Sequence, residues 1–145
     1  VAVRLTPPFE LMVVAAPDYL RRRGEPLTVA DLQAHNCVGY KQVSGGGAYA
    51  WDLLDEGREV AVDVRGTSRV TDPYLAIELA LAGVGLAYVL EPTVRHFIRE
   101  GRLREVMPKA AVVEPGLFLY FPRLRSEEPK LRALIDAARA RLKPG

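Results

Sequence analysis

The stretch from residue 71 to residue 90, TDPYLAIELALAGVGLAYVL, constrains the fold of this chain more than any other part. Thr71 or Asp72 can supply a capping oxygen, and Pro73 fits the first position of a helix, where no N–H is required. The residues that follow are almost wholly apolar, and Gly83 can end the helix in a left-handed conformation. The stretch therefore predicts a buried helix, a glycine-bounded turn and a short buried strand, against which the rest of the chain packs.

The start of this predicted helix is the first candidate ligand site. A helix N-terminus presents free N–H groups and a partial positive charge, so it attracts carboxylates and other polar ligands. Thr71, Asp72 and Pro73 stand at this end of the helix. The same residues are also what an ordinary helix cap requires, so this stretch alone leaves both interpretations open.

The rest of the chain alternates strand-like and helix-like segments. The apolar run of residues 9–16 predicts a buried strand, and residues 51–64 predict a hairpin around a turn at residues 55–58. Residues 41–49, KQVSGGGAY, predict a loop because they hold three consecutive glycines and no apolar periodicity. Further helices are predicted near residues 17–23, 28–35, 91–100 and 130–142, further strands near residues 37–40, 67–70, 102–107 and 116–121, and a connection over residues 108–115. This alternation favours an α/β fold with a mixed sheet.

Composition sets the broad class of the protein. The 145 residues are 49% hydrophobic and 26% charged, which is typical of a soluble globular chain. The sequence shows no apolar run of bilayer length and no signal-peptide pattern, so we expect a cytoplasmic protein without a membrane partner. The start at Val1, without a methionine and inside a predicted strand, suggests an excised piece of a longer protein. The net charge of +2 gives little support to a nucleic-acid surface on this chain.

The sequence shows little that would support catalysis. The phosphate-loop, dinucleotide, HExxH and CxxC patterns are absent from it, and the single cysteine, Cys37, allows neither an internal disulfide nor a cysteine metal cluster. His35 and His96 have no evident catalytic partner, and Ser44 beside its glycines lacks the GxSxG pattern of a nucleophile elbow. We therefore expect a non-enzyme that uses no cofactor and no metal.

Several motifs in a fixed order carry a resemblance to a known family. They are VAAPDYL at residues 14–20, GxPxxxxDLxxHxC at 24–37, YAW at 49–51, the stretch at 71–90, GRLxxV at 101–106 and PGLFLYFP at 115–122. In this order and spacing the chain resembles the effector-binding region of LysR-type transcriptional regulators. The resemblance covers essentially the whole chain.

The resemblance implies a fold like that of the type II periplasmic binding proteins, with two α/β subdomains and a small-molecule site between them. Residues 1–16 would be a remnant of the first subdomain and a crossing strand, and residues 17–107 the complete second subdomain. Residues 108–145 would be the return strand and C-terminal helix of the first subdomain. The family's DNA-binding domain and one wall of the effector cleft are expected to be absent, so that DNA is bound only by the full-length protein.

The resemblance also implies an effector site for a small, anionic metabolite. It assigns five residues to that site: Thr71, Asp72, Pro73, Arg4 and Ser44. The guanidinium of Arg4 could clamp a carboxylate, although a solvent-facing arginine on a terminal strand is an equal alternative. Ser44 with Gly45 and Gly46 could close over the ligand, or form an ordinary surface loop.

Members of the family commonly pair these domains side by side, so the resemblance implies self-association as a dimer or larger assembly. The apolar face of the predicted C-terminal helix would lack its usual neighbours and would be free to pack against a partner.

Two other functions stay open. One is a solute-binding protein of a transport system with the same fold. The other is an enzyme fragment that uses Asp72 or Glu91 with Arg4, for which the sequence shows no base, nucleophile or metal group.

Overall fold

The computed structural model describes residues 1–42, 44–45 and 47–142. The chain divides into two compact units, of which the first comprises Val1–Phe9 with Val113–Gly145 and the second Glu10–Val112. The predicted second subdomain, residues 17–107, falls inside the second unit. The assignment of the pieces to family subdomains stays a prediction.

The helices and strands alternate along the chain. The α-helices are α1 Pro17–Arg23, α2 Pro73–Leu81, α3 Glu91–Arg99 and α4 Pro129–Arg141, and short 3-10 helices span Val29–Ala34, Pro108–Ala110 and Arg123–Arg125. The strands are β1 Ala2–Arg4, β2 Phe9–Ala15, β3 Gly39–Lys41, β4 Ala48–Tyr49, β5 Trp51–Asp55, β6 Arg58–Val62, β7 Arg69–Val70, β8 Ala87–Leu90, β9 Arg104–Val106, β10 Val112–Glu114 and β11 Phe118–Tyr120. Within the described ranges, no helix is long and apolar enough to cross a membrane.

Strand β2 lies at the centre of the second unit. It pairs antiparallel with β8 and with β9, so that Val13 stands opposite Tyr88 on one neighbour and opposite Val106 on the other. Alternate β2 side chains enter different core clusters: Val13 packs in one, and Met12 and Val14 pack in the other. Because both faces of the strand are buried from Met12 to Ala15, this part of it needs apolar residues at every position. The predicted buried strand is confirmed.

The hairpin of β5 and β6 is also as predicted. Its two-residue turn uses Glu56 at φ 50° and Gly57 at φ 80°, the positive values that match the right-handed twist of the flanking strands. Trp51 begins β5 and is fully buried. Its ring stacks on Tyr88 with the centroids 5.5 Å apart, which joins the hairpin to β8.

The loop predicted over residues 41–49 is partly wrong. Strand β4 lies in this segment and pairs antiparallel with β3, with Tyr40 opposite Tyr49 and Lys41 opposite Ala48. Strand β3 also pairs in parallel with β7. The pairing partner of so short a strand is set by tertiary contacts, which local composition does not reveal. Val43 and Gly46, which belong to the predicted loop, lie outside the described residues.

Two other segments differ from the prediction. The helix predicted from Thr28 is a 3-10 helix, in which the Thr28 N–H donates to the Asp31 carboxylate at 2.9 Å. The expected cap is therefore present, but the turns are tighter than those of an α-helix. Residues 108–115, predicted as a plain connection, contain a 3-10 helix and strand β10.

The first unit is built on a two-stranded antiparallel pair. Strands β1 and β11 place Val3 opposite Leu119. Helix α4 buries Ile135 but leaves Leu134 56% exposed, so only part of its predicted apolar face is covered in this chain. The Arg139 Nε–H of α4 donates to the backbone oxygen of Arg4 at 3.1 Å, which ties the helix to β1.

Candidate functional site

The start of α2 forms one edge of the candidate site. The Asp72 side chain accepts a hydrogen bond from the Tyr74 N–H at 2.9 Å, and Pro73 follows it in the first turn. Asp72, rather than Thr71, is therefore the cap of the helix. Its carboxylate also places a negative charge at the helix N-terminus, where it offsets part of the dipole that would attract an anionic ligand.

A pocket of about 360 Å³ opens beside this helix end, wholly within the second unit. Most of its surface is apolar, and it is lined in part by Leu11 of β2, Pro73 and Ile77 of α2, and Val89 and Leu90 of β8. The side chains in it that carry polar groups are Tyr40, Lys41, Tyr49, Thr71, Tyr88 and Thr93. Among the described residues that line the pocket, Lys41 is the only charged one. The pocket therefore suits a largely apolar molecule that carries a negative charge.

Two of the five residues assigned by sequence line this pocket. Thr71 and Pro73 are brought together there, next to Ile77 in the following turn. Asp72 does not line it and instead caps the helix. Ser44 lies in an exposed turn between β3 and β4, and is not among the lining residues.

Arg4 belongs to the first unit, and all described residues that line the pocket belong to the second. It belongs to β1, and its guanidinium carbon lies 5.1 Å from the centroid of the Phe118 ring. This is a cation–π distance, so the side chain is held by a neighbour on β11. Its predicted role as a carboxylate clamp stays a prediction.

The tyrosines that shape the pocket were not among the residues predicted from the sequence. The Tyr40 hydroxyl donates to the backbone oxygen of Tyr88 at 2.7 Å, and the Tyr88 hydroxyl donates to the backbone oxygen of Asp52 at 2.7 Å. Burial raises the pKa of Tyr40 to about 12, and the Asp72 carboxylate acts in the same direction. Tyr40 therefore remains a protonated donor at physiological pH. One sequence pattern could have predicted the pairing of β3 with β4. Aromatic residues, Tyr40 and Tyr49, stand on both sides of the glycine run.

The structure offers little for metal or thiol chemistry. In the described part of the chain, no cluster of three or more His, Cys, Asp or Glu side chains could hold a metal ion. Cys37 is buried, and its burial raises the pKa of the thiol to about 12. A thiol with so high a pKa is almost wholly protonated at neutral pH and is therefore a poor nucleophile.

Comparison with known proteins decides the family. Residues 1–143 match the family model for the LysR substrate binding domain. The chain belongs to this family. The resemblance carried by the ordered sequence motifs is thus confirmed.

Relatives of this LysR substrate-binding domain are transcriptional regulators. A candidate transcriptional regulator of Pseudomonas aeruginosa is 37% identical over 139 residues, which cover 96% of this chain and 45% of the relative. The HTH-type transcriptional regulator PgrR of Escherichia coli is 33% identical over 136 residues, covering 94% of this chain and 46% of PgrR. The chain therefore spans less than half the length of these two relatives.

A solved structure supports the fold. The regulatory domain of CrgA, a LysR-type transcriptional regulator from Neisseria meningitidis, superposes with a TM-score of 0.75 at 23% sequence identity. The match covers 98% of this chain and 69% of the CrgA domain. The predicted α/β fold of the type II periplasmic-binding-protein kind is confirmed.

Proposed function

We propose that this LysR substrate-binding domain senses a small anionic metabolite with an apolar body, and that occupancy controls DNA binding by a longer regulator. The pocket beside α2 carries the proposal. Its volume of about 360 Å³ lies within the range usual for small-molecule sites. Its mostly apolar lining favours burial of hydrocarbon, and its few polar groups are placed to orient the ligand.

Lys41 is the proposed counter-charge for the metabolite. The Asp72 carboxylate already caps α2. The start of this helix therefore attracts an anionic ligand less strongly than an uncapped helix N-terminus would. The Tyr40, Tyr88 and Thr93 hydroxyls each donate to a backbone oxygen. The Lys41 ammonium and the Thr71 and Tyr49 hydroxyls are therefore the side-chain donors of the described lining that have no partner among the described residues. On this proposal the carboxylate lies at the Lys41 end, and the apolar body lies against Ile77 and its neighbours.

The remaining residues of the family pattern are proposed as secondary contacts. Arg4 and Ser44 keep the roles proposed for them by the family pattern, a carboxylate clamp and a closing loop. Asp72 would act indirectly by fixing the start of α2. These roles are supported by the family pattern and by the cap hydrogen bond of Asp72.

The domain is proposed to work by binding alone, without catalysis, in the cytoplasm. Family membership supports this, since the relatives named above are transcriptional regulators. The same relatives give the transport alternative no support. DNA contact is proposed for a separate N-terminal domain of the longer regulator. Self-association is proposed as well, supported by the exposed apolar side chains Tyr74 and Leu75 on α2 and Leu134 on α4.

Replacing Lys41 by methionine tests the proposed function. A panel of aromatic and aliphatic monocarboxylates, each paired with its uncharged amide, is screened by the rise in melting temperature of the chain. We expect a subset of carboxylates, but not their amides, to raise the melting temperature. Lys41→Met removes the ammonium, and we expect it to lower the affinity for the best carboxylate about tenfold, as measured by calorimetry.

Lys109→Met is the matched control. Lys109 is exposed in the 3-10 helix Pro108–Ala110 and does not line the pocket, so this variant should bind as the parent does. The proposal would be wrong if no panel member stabilised the chain. It would also be wrong if Lys41→Met and Lys109→Met bound the carboxylate equally well.

A further inference from the structure

The second unit contains another cavity, of about 380 Å³, that shares no described lining residue with the pocket beside α2. It lies among α1, the 3-10 helix Val29–Ala34 and the segment that precedes β7. Its charged and polar side chains include Arg22, Arg23, Gln33, His35, Arg65 and Thr67. Unlike the first pocket, this cavity is rich in hydrogen-bond donors.

The charge of this cavity is positive. Three arginines line it, and no aspartate or glutamate is found among its described lining residues. Arg22 is held by the Gly83 backbone oxygen at 2.7 Å and by Asp18, which neutralises part of its charge. Arg23 donates one hydrogen bond to the Ala34 backbone oxygen at 3.2 Å, and its other donors have no hydrogen-bond partner among the described residues. Arg65 makes no ion pair or side-chain hydrogen bond with the described part of the chain, so its guanidinium is available to a ligand.

The floor of the cavity, formed by Asn36, Gly66 and Thr67, is held by hydrogen bonds and by close backbone packing. The Asn36 side chain donates to the Thr67 hydroxyl oxygen at 3.1 Å and to the Val84 backbone oxygen at 2.9 Å, and accepts from the Thr67 N–H at 2.8 Å. Gly66 lies so close to the neighbouring segment that a Cβ there would stand 1.9 Å from the Cys37 backbone oxygen. Because these residues are already held in place, little conformational entropy is lost when a ligand binds to them.

His35 adds a further donor to the cavity. The Asn36 N–H donates to the Tyr19 hydroxyl oxygen at 3.1 Å, and that hydroxyl lies 2.8 Å from His35 Nδ1. The Tyr19 proton is thus free to be donated to Nδ1, which leaves the proton of the neutral ring on Nε2. Burial lowers the pKa of His35, as does the charge of Arg23, while Asp31 opposes them. The ring is therefore neutral at physiological pH and donates through Nε2–H.

We propose that this basic cavity binds inorganic phosphate or the phosphoryl group of a small metabolite, at a site separate from the pocket beside α2. A phosphoryl group presents at least three strong acceptor oxygens, which match the forked donors of several guanidinium groups. A monocarboxylate has only two such oxygens and one charge, so it would use fewer of these donors. The site does not depend on the proposed effector function of the first pocket.

The test uses the whole 145-residue chain with inorganic phosphate and glycerol phosphate as probes, titrated by calorimetry at constant ionic strength. We expect saturable binding, weakened about tenfold in Arg65→Gln because a charge-assisted hydrogen bond is lost. The matched control is Arg58→Gln, an exposed arginine on β6 that does not line the cavity and should leave the affinity unchanged.

The two probes identify the source of the anion. Tighter binding of glycerol phosphate points to a metabolite phosphoryl group, and tighter binding of inorganic phosphate points to the free ion. Absence of saturable binding for both probes would overturn the proposal. So would equal affinities of Arg65→Gln and Arg58→Gln.

A second readout follows the two histidines of the chain by NMR during the phosphate titration. A bound dianion near Arg23 and Arg65 favours the imidazolium form, so the pKa of His35 should rise. His96, on α3, does not line the cavity, so its ring resonances should not respond to phosphate. A pKa of His35 that does not change with phosphate would contradict a site in this cavity.

Discussion

Replacing Trp51 by alanine is expected to lower the free energy of unfolding of the chain by about 3–5 kcal/mol, the usual cost of removing a buried aromatic ring. Trp51 is fully buried, and its ring stacks on Tyr88 at a centroid distance of 5.5 Å. Alanine would leave a cavity between the β5–β6 hairpin and β8. Urea denaturation followed by far-ultraviolet circular dichroism measures the change without relying on tryptophan emission.

Trp51→Phe is the matched control for this variant. The buried Nε1–H of Trp51 finds no acceptor among the described residues, so phenylalanine keeps most of the packing and removes an unsatisfied donor. Its expected cost is below about 1.5 kcal/mol. Equal losses in the two variants would contradict the account, because phenylalanine would then keep none of the stabilising ring packing.

Replacing Gly66 by alanine is the second large effect, with an expected loss of about 3 kcal/mol of unfolding free energy. The added Cβ would lie 1.9 Å from the Cys37 backbone oxygen and 2.8 Å from the Asn36 Oδ1 atom. The two segments cannot move apart without breaking the hydrogen bond from the Cys37 N–H to the Arg65 backbone oxygen, which is 2.9 Å long. The same urea denaturation measures the loss.

Gly47→Ala is the control for the glycine variant. A Cβ at Gly47 would meet its nearest neighbour, the Gln42 side-chain oxygen, at an ordinary 3.8 Å. This exposed substitution should change the unfolding free energy by less than about 0.5 kcal/mol. If Gly66→Ala were as stable as Gly47→Ala, the close approach of the segment before β7 to Cys37 would be incorrect.

The elements that the sequence predicted well are those with strong local signals. Helix α2 is marked by the Asp72 cap and Pro73, and the β5–β6 hairpin by its turn at Glu56 and Gly57. Strands β4 and β10 were missed because two or three residues carry almost no periodicity. Their strand character comes from partners distant in the chain or from pairing across a glycine run, as in the pairing of Tyr40 with Tyr49.

The candidate site was only partly predictable for the same reason. Thr71 and Pro73 were found because they belong to one local signature at the start of α2. Tyr40 and Lys41 come from β3 and Tyr88 from β8, and only the folded chain brings them to one pocket with the start of α2. The ordered motifs identified the family, but they gave no indication of the apolar lining or of the basic cavity.

Tyr88 links the pocket to the core of the second unit. Its backbone oxygen accepts from the Tyr40 hydroxyl, and its ring stacks on Trp51. It also lines the pocket itself. Because Trp51 is the only tryptophan of the chain, its indole resonance is a specific reporter of events at this wall.

The most direct test of the central claim is NMR mapping of the bound carboxylate. The ligand that stabilises the chain best in the panel is titrated while the backbone amide and indole shifts are followed. The account predicts the largest changes at the amides of Lys41, Thr71 and Thr93 and at the Trp51 indole, with saturation at one affinity. Changes confined to the first unit, or to residues around the basic cavity, would contradict an effector site beside α2.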